Sequence, residues 1–187
     1  MPRWEPDSRG RLVEAALALY GERGFDSTTV EEIARRAGLT ERTFFRHFAD
    51  KREVLFASGS ALEDALVRAV AAAPDSVAPL DAVAAGLEAA GALLPDRETA
   101  RRRQSVIAAN AELRERELIK YASLSAALAR TLRERGLDEP TASLTGELGM
   151  AVFRVAFERW IGGAGEREFP ALVRESLDQV RSVAAAG

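Results

Sequence analysis

The chain has 187 residues, 47% of them hydrophobic and 29% charged, with a net charge of −3 and no cysteine. That length buries a core without a metal or disulfide staple, and the missing cysteines exclude disulfides, thiolate metal sites and a cysteine nucleophile. No apolar run approaches the roughly 18 residues of a membrane span, and the N-terminal apolar stretch lacks a cleavage site, so a soluble cytoplasmic protein with no membrane partner is expected.

Apolar residues recur at a period of 3.6 throughout, which reads as an all-α fold of about nine helices. A first helix is expected from about Ser8 to Tyr20, with Leu12, Ala15, Ala16 and Leu19 on one face and Gly21 and Gly24 ending it. A second helix is expected to begin at Thr28, capped by its hydroxyl and by Glu31 reaching back, and to end at Gly38. Thr40 has the chemistry of the next N-cap. The third helix is short, ending near Ala49, because Asp50 with Glu53 has the form of a cap for a long fourth helix running to about Ala72.

Further on, AAAPDSVAPL reads as a loop, Pro95 as a break, and Asn110 and Pro140 as caps or helix starts. The segment 141–161 is apolar on two opposite faces, one carrying Leu144, Leu148, Val152 and Val155, the other Met150, Phe153, Phe157 and Trp160. A helix apolar on both sides is buried on both sides, one toward its own core and one toward a partner subunit. A last helix follows, with Phe169, Leu172, Val173, Leu177, Val180 and Val183 on one face.

Charge is unevenly spread. Residues 35–52 hold six basic against two acidic side chains on an otherwise mildly acidic chain. Within this stretch lies TERTFFRHF, which contains the single histidine, His47. On a wheel of about 100° per residue, Phe44, Phe45 and Phe48 share one arc, while Thr40, Arg42, Thr43, Arg46 and His47 lie opposite. The phenylalanines are therefore expected to bolt a two-turn helix onto helices one and two, since so short a helix does not stand alone. The opposite face offers arginine forks, hydroxyls and an imidazole, which suit phosphates and base edges. Helix, glycine turn and short helix together read as a helix-turn-helix whose second member enters the major groove of double-stranded DNA.

The stretch from Arg11 to Phe56, including AALALYGERGFDSTTVEEIARRAGLTERTFFRHFADKREVLF, resembles the DNA-binding domain of the tetracycline-repressor (TetR) family. The carrying pieces are G-F after helix one, T-T-V-x-x-I-A, the A-G-L turn, T-x-x-T-F-F-x-H-F, and D-K. The phrase T-x-R-T-F-F-R-H-F is similar to an actinobacterial subset that includes members near the regulator of the mycofactocin system. The resemblance implies an N-terminal three-helix reader over residues 1–54, joined by the long fourth helix to a larger helical ligand-binding and dimerisation domain over 55–187. It implies phosphate contacts near Thr28 and Thr29, base-edge and phosphate contacts from Thr40, Glu41, Arg42 and Thr43, and phosphate contacts from His47 and Lys51. Where the family usually has a tyrosine whose hydroxyl binds phosphate, this chain has Phe45, either packing or meeting a sugar edge; Arg46 can compensate.

The resemblance also implies a homodimer built from the last two helices, which brings Leu144, Leu148, Val152, Val155, Leu172, Val173, Leu177 and Val180 to the interface. It implies a palindromic operator, repression, and release by a small apolar effector in a pocket among residues 80–160. No cofactor is expected. An enzyme is not expected, because the chain lacks a G-x-S-x-G elbow, a P-loop, a dinucleotide glycine triad and H-E-x-x-H, and one histidine leaves few acid–base options. The alternative is a helical carrier or interaction protein with a basic surface patch, and it would leave the phenylalanines exposed beside the arginines.

Overall fold

The computed structural model describes residues 7–163 and 167–186. Among them are nine α-helices: α1 (Ser8–Arg23), α2 (Val30–Arg36), α3 (Glu41–His47), α4 (Gly59–Ala72), α5 (Pro79–Gly91), α6 (Arg97–Ala109), α7 (Ala111–Glu134), α8 (Glu139–Gly162) and α9 (Phe169–Ala185), with one 3₁₀ turn at Glu53–Phe56. They form two compact units. One comprises the chain up to Ala57 together with Arg102–Glu115, the other Ser58–Arg101 with the chain from Arg116 onward.

The first unit is built from α1, α2, α3, the 3₁₀ turn and the α6–α7 junction. Asp7 caps α1 by accepting from the Gly10 amide at 2.8 Å. Leu12, Ala16, Leu19 and Tyr20 of α1 are buried against Ile33 of α2 and Phe44 of α3. Thr29, not Thr28, caps α2: its hydroxyl accepts from the Glu32 amide and the Glu32 carboxylate accepts from the Thr29 amide. The box is thus shifted one residue from the sequence expectation, because Thr28 turns inward and donates its hydroxyl to the Gly24 carbonyl at 2.8 Å. After α2 the chain reverses at Gly38, whose φ of 67° is costly for a residue with a Cβ. Ile107 and Leu113, both 0% exposed, complete this core.

The expected long fourth helix is interrupted. Asp50 does cap, its carboxylate accepting from the Arg52 and Glu53 amides, but what it caps is the 3₁₀ turn. Val54, Leu55 and Phe56 drop into the core there, and α4 begins only at Gly59. With about three residues per turn, successive side chains of the 3₁₀ turn point in three directions, so Val54, Leu55 and Phe56 are buried all around the turn rather than along one face.

The second unit holds α4, α5, most of α7, α8 and α9. Val70, Val83, Leu87, Leu128, Leu132, Met150, Phe157 and Val173 form its core. Phe153, Phe157, Trp160 and Phe169 add a run of ring contacts with centroids 5.7–6.1 Å apart. Helices α7 and α8 approach closely at Gly146, where an added Cβ would lie 2.8 Å from the Ser125 carbonyl oxygen.

Alanine normally stabilises a helix interior by about 0.5–1 kcal/mol over glycine. At Gly146 the backbone clash outweighs this, so Gly146→Ala is expected to lower stability by about 1–2 kcal/mol. Urea unfolding of the full chain checks it; an unchanged or raised midpoint would refute the close approach.

Candidate nucleic-acid interface

Helix α3 is pinned from one side. Phe44 is 0% exposed and Phe48 4%, both in the core of the first unit. Phe45 behaves differently: it is 56% exposed. The expectation that all three phenylalanines pack inward is corrected at this position. Phe45 lies about 80° around the helix from the midpoint of Phe44 and Phe48, which carries it past the edge of the buried arc. Its ring meets Phe44 edge-on at 5.5 Å and otherwise projects from the surface.

Glu41, Arg42, Phe45 and Arg46 form the exposed face of α3, with Thr43 and His47 half-buried at its margins. Thr40 is committed to capping, accepting from the Thr43 amide at 3.2 Å while its hydroxyl also meets that of Thr43 at 3.1 Å. His47 Nε2 lies 2.8 Å from the Ser8 hydroxyl, and 3.4 Å from the Arg46 guanidinium. Burial, then the positive charges of Arg46 and Arg9, push the His47 imidazolium below its usual range, so the ring is neutral near pH 7. Arg9 is exposed beside this end of the helix, its guanidinium 5.4 Å above the Phe48 ring and hydrogen-bonded to the Ala57 carbonyl.

Lys51 is occupied within the fold. Its ammonium donates to the carbonyls of Phe25 at 2.9 Å, Thr28 at 3.0 Å and Asp26 at 3.3 Å, and stands 4.4 Å from the Phe25 ring. An ammonium has three N–H donors, so all are used in closing the α1–α2 turn. The Lys51 carbonyl accepts from the Tyr20 hydroxyl at 2.7 Å; burial, then Asp50, push that phenol well above its usual range. Next to it Arg52 bridges Asp50 and Glu112, and the Arg52 hydrogen bond holds the Asp50 carboxyl below the usual carboxylate range.

Of the ten residues singled out in the sequence, Glu41, Arg42, Phe45 and Arg46 share one exposed face, and Thr29 is exposed at the start of α2. Thr28, 1% exposed, is interior. Ser8 and Arg9 were missed: they join α3 from 39 residues away in sequence, and no local pattern marks them.

The residues named for a subunit interface divide sharply. Leu144 is 63% exposed and Val155 43%, with Leu148 and Ala151 half-buried between them on α8. Val152, Leu172, Val173 and Leu177 are buried in the chain's own core, and Val180 is half-buried. Near the end of α8 lies a cleft of about 280 Å³ lined by Arg97, Arg159, Trp160, Gly163, Arg167 and Leu172. Arg159 and Arg167 share the Glu175 carboxylate, at 2.5 and 3.1 Å. No described helix is long and apolar enough to cross a membrane.

Residues 12–57 match the family model described as bacterial regulatory proteins, tetR family. Residues 77–185, more than half of the chain, match the MftR C-terminal domain. The regulator TcmR of Streptomyces glaucescens is 39% identical over 82 residues, 44% of this chain and 36% of TcmR. The repressor KstR2 of Mycobacterium tuberculosis is 45% identical over 47 residues, 25% of this chain and 24% of KstR2. The chain therefore spans about a third or less of the length of these relatives. In the solved structures, a transcriptional regulator from Aquifex aeolicus superposes with a TM-score of 0.57 at 19% identity, covering 94% of this chain and 99% of that one.

Replacing Lys51 by methionine keeps most of its volume but removes the donor shared by three carbonyls, of which that of Phe25 keeps the Thr28 amide at 3.2 Å. Lys51→Met is expected to cost about 1–3 kcal/mol of stability, read as a lowered urea midpoint of the full chain. A midpoint equal to that of the parent would mean the α1–α2 turn does not depend on the ammonium.

Proposed function

Since the chain belongs to the tetR family of bacterial regulatory proteins, with a C-terminal domain of the MftR type, we propose that it represses transcription as a homodimer that binds a palindromic operator and leaves it when a small molecule binds. The observation that carries the DNA-reading part is the exposed face of α3, where Arg42 and Arg46 stand clear of a helix anchored by Phe44 and Phe48. Phe44 and Phe48 are used inside the fold and Phe45 alone is exposed beside the arginines, far less apolar surface than the face of a membrane-bound helix, which disfavours the carrier alternative.

In this reading Arg42 sits near the start of α3 and addresses a guanine through its two-pronged fork. Arg46, His47 and Thr29 contact phosphates, with Arg9 adding positive charge beside them. Thr40 and Thr28 hold helix ends in place, and Lys51 keeps the α1–α2 turn closed so that the reading helix is presented at a fixed angle. The reader occupies residues 1–54 in sequence terms and the effector and dimer region residues 55–187.

The stripe Leu144, Leu148, Ala151 and Val155, at spacings of four, three and four, supports a helix-to-helix subunit contact along α8. Val180 of α9 extends it, whereas Val152, Leu172, Val173 and Leu177 support that contact from within. A dimer sets two reading helices about 34–36 Å apart, one turn of DNA, and a ligand that favours another separation weakens binding by the same coupling that DNA exerts on the ligand. The arginine-lined cleft beside Trp160 supports an effector with an apolar body and an anionic end, a narrower class than the apolar molecule expected from sequence.

Selection of duplexes from a random library by the full-length protein tests the function: an enriched palindrome is expected, and enrichment of nothing would withdraw it. On that duplex Arg42→Ala should lose about 10- to 100-fold at one or two base positions only, measured by competition among single-base variants; an even loss over all positions would contradict the base-reading role. A second expectation concerns assembly. Leu144→Glu with Val155→Glu should give a helical monomer in analytical ultracentrifugation with greatly weakened operator binding, and a doubly substituted chain that stays dimeric would remove α8 from the interface.

A further inference from the structure

Phe45 is an exposed aromatic ring in the middle of a cationic reading face, with Arg42 three residues before it and Arg46 directly after. Hydration of a phenyl ring is unfavourable, and two alternatives to exposure existed. Rotation into the core is blocked because Phe44 and Phe48 already fill that side. A polar residue would have met water at no cost. One side of the ring rests edge-on against the buried Phe44, with centroids 5.5 Å apart. A phenyl carries no hydrogen-bond donor or acceptor, so it offers nothing to a phosphate.

We propose that Phe45 is a base reader that recognises the 5-methyl group of a thymine in the major groove, an inference that rests on the DNA-binding reading given above. Among the groups that base pairs present in that groove, the thymine methyl is the apolar one. Its counterpart on the protein has to be apolar and exposed, and flanked by cations that draw the surrounding phosphates in. Phe45 meets each requirement. Position along the helix narrows the target. Phe45 lies three residues beyond Arg42, about 4.5 Å along the axis, compared with about 3.4 Å between base pairs. The thymine therefore falls in the same half-site as the guanine that Arg42 addresses. The half-site gains a constraint that hydrogen bonding by the arginines does not supply.

The test uses the full-length protein and the duplex enriched from a synthetic library, which contains no 5-methylcytosine, so any methyl recognised is that of thymine. Each thymine of the half-site is replaced in turn by deoxyuridine, which deletes the methyl and leaves every hydrogen-bonding group unchanged. At one thymine per half-site the parent protein is expected to bind about three- to tenfold more weakly, the scale of one buried methyl in a packed contact. Phe45→Ala is expected to bind more weakly overall, to lose the preference for thymine over deoxyuridine at that position alone, and to keep the parent's salt dependence, since no phosphate contact is removed. A contact to the sugar edge instead would leave binding indifferent to every deoxyuridine replacement, and that result overturns the proposal with the parent protein alone, whatever the variant's folding. Persistence of the preference in a folded Phe45→Ala protein overturns it as well. If no duplex is enriched, the DNA-binding reading falls and this proposal with it; an enriched duplex without discrimination removes the proposal only.

Discussion

Helix α3 has seven residues, about two turns, and a helix of that length is not stable by itself in water. It exists because Phe44 is wholly buried and Phe48 nearly so, in a core supplied by α1, α2 and the 3₁₀ turn. The anchor also fixes rotation about the helix axis. Once Phe44 points inward, Arg42, Phe45 and Arg46 have to point elsewhere, and the composition of the outward face follows from the composition of the inward one. The same burial that forms the helix therefore selects which side chains are offered to a partner.

Polar residues around the reader split into those that build it and those it displays. Thr28, Thr40 and Lys51 are each of a type that suits phosphate, yet Thr28 and Lys51 donate to Gly24 and to the α1–α2 turn, and the Thr40 hydroxyl accepts from the Thr43 amide at the α3 terminus. Carbonyls left without partners in such turns are costly, and satisfying them takes precedence over keeping a cation free. Arg42 and Arg46 remain on the exposed face opposite the buried Phe44 and Phe48, while Thr40 closes the helix start.

Within the second unit the same division appears at the scale of a helix. On α8, Met150, Val152, Phe157 and Trp160 are buried in a packed aromatic and aliphatic core, whereas Leu144 and Val155 are exposed at 63% and 43%. Large aliphatic side chains spaced along one exposed line on an otherwise well-packed helix are what a subunit contact requires. Close approach at Gly146 keeps α7 against the remaining side, so the exposed line is not taken up by this unit's own helices.

The sequence by itself determined the all-helical class, the helix-turn-helix and the basic face of residues 40–47, because a 3.6-residue period, caps and short-range charge are local properties of a chain. It also located the apolar line on α8. What local pattern could not decide was which competing partner each side chain finds. A wheel puts Phe45 about 80° from the midpoint of Phe44 and Phe48, but only the folded core decides that the buried arc ends short of it. Asp50 and Glu53 read as the cap of a long helix, yet they open a 3₁₀ turn whose Val54, Leu55 and Phe56 are all buried, and α4 starts only at Gly59. Lys51 reads as a phosphate contact until the carbonyls of Phe25, Asp26 and Thr28 are brought around it from 23 to 26 residues away. Ser8 reaches His47 across 39 residues, and Val152, Leu172, Val173 and Leu177 are claimed by their own core rather than left for a partner. Each of these outcomes is a competition between distant groups for burial or for a hydrogen bond, and such competition is resolved only when the chain has folded.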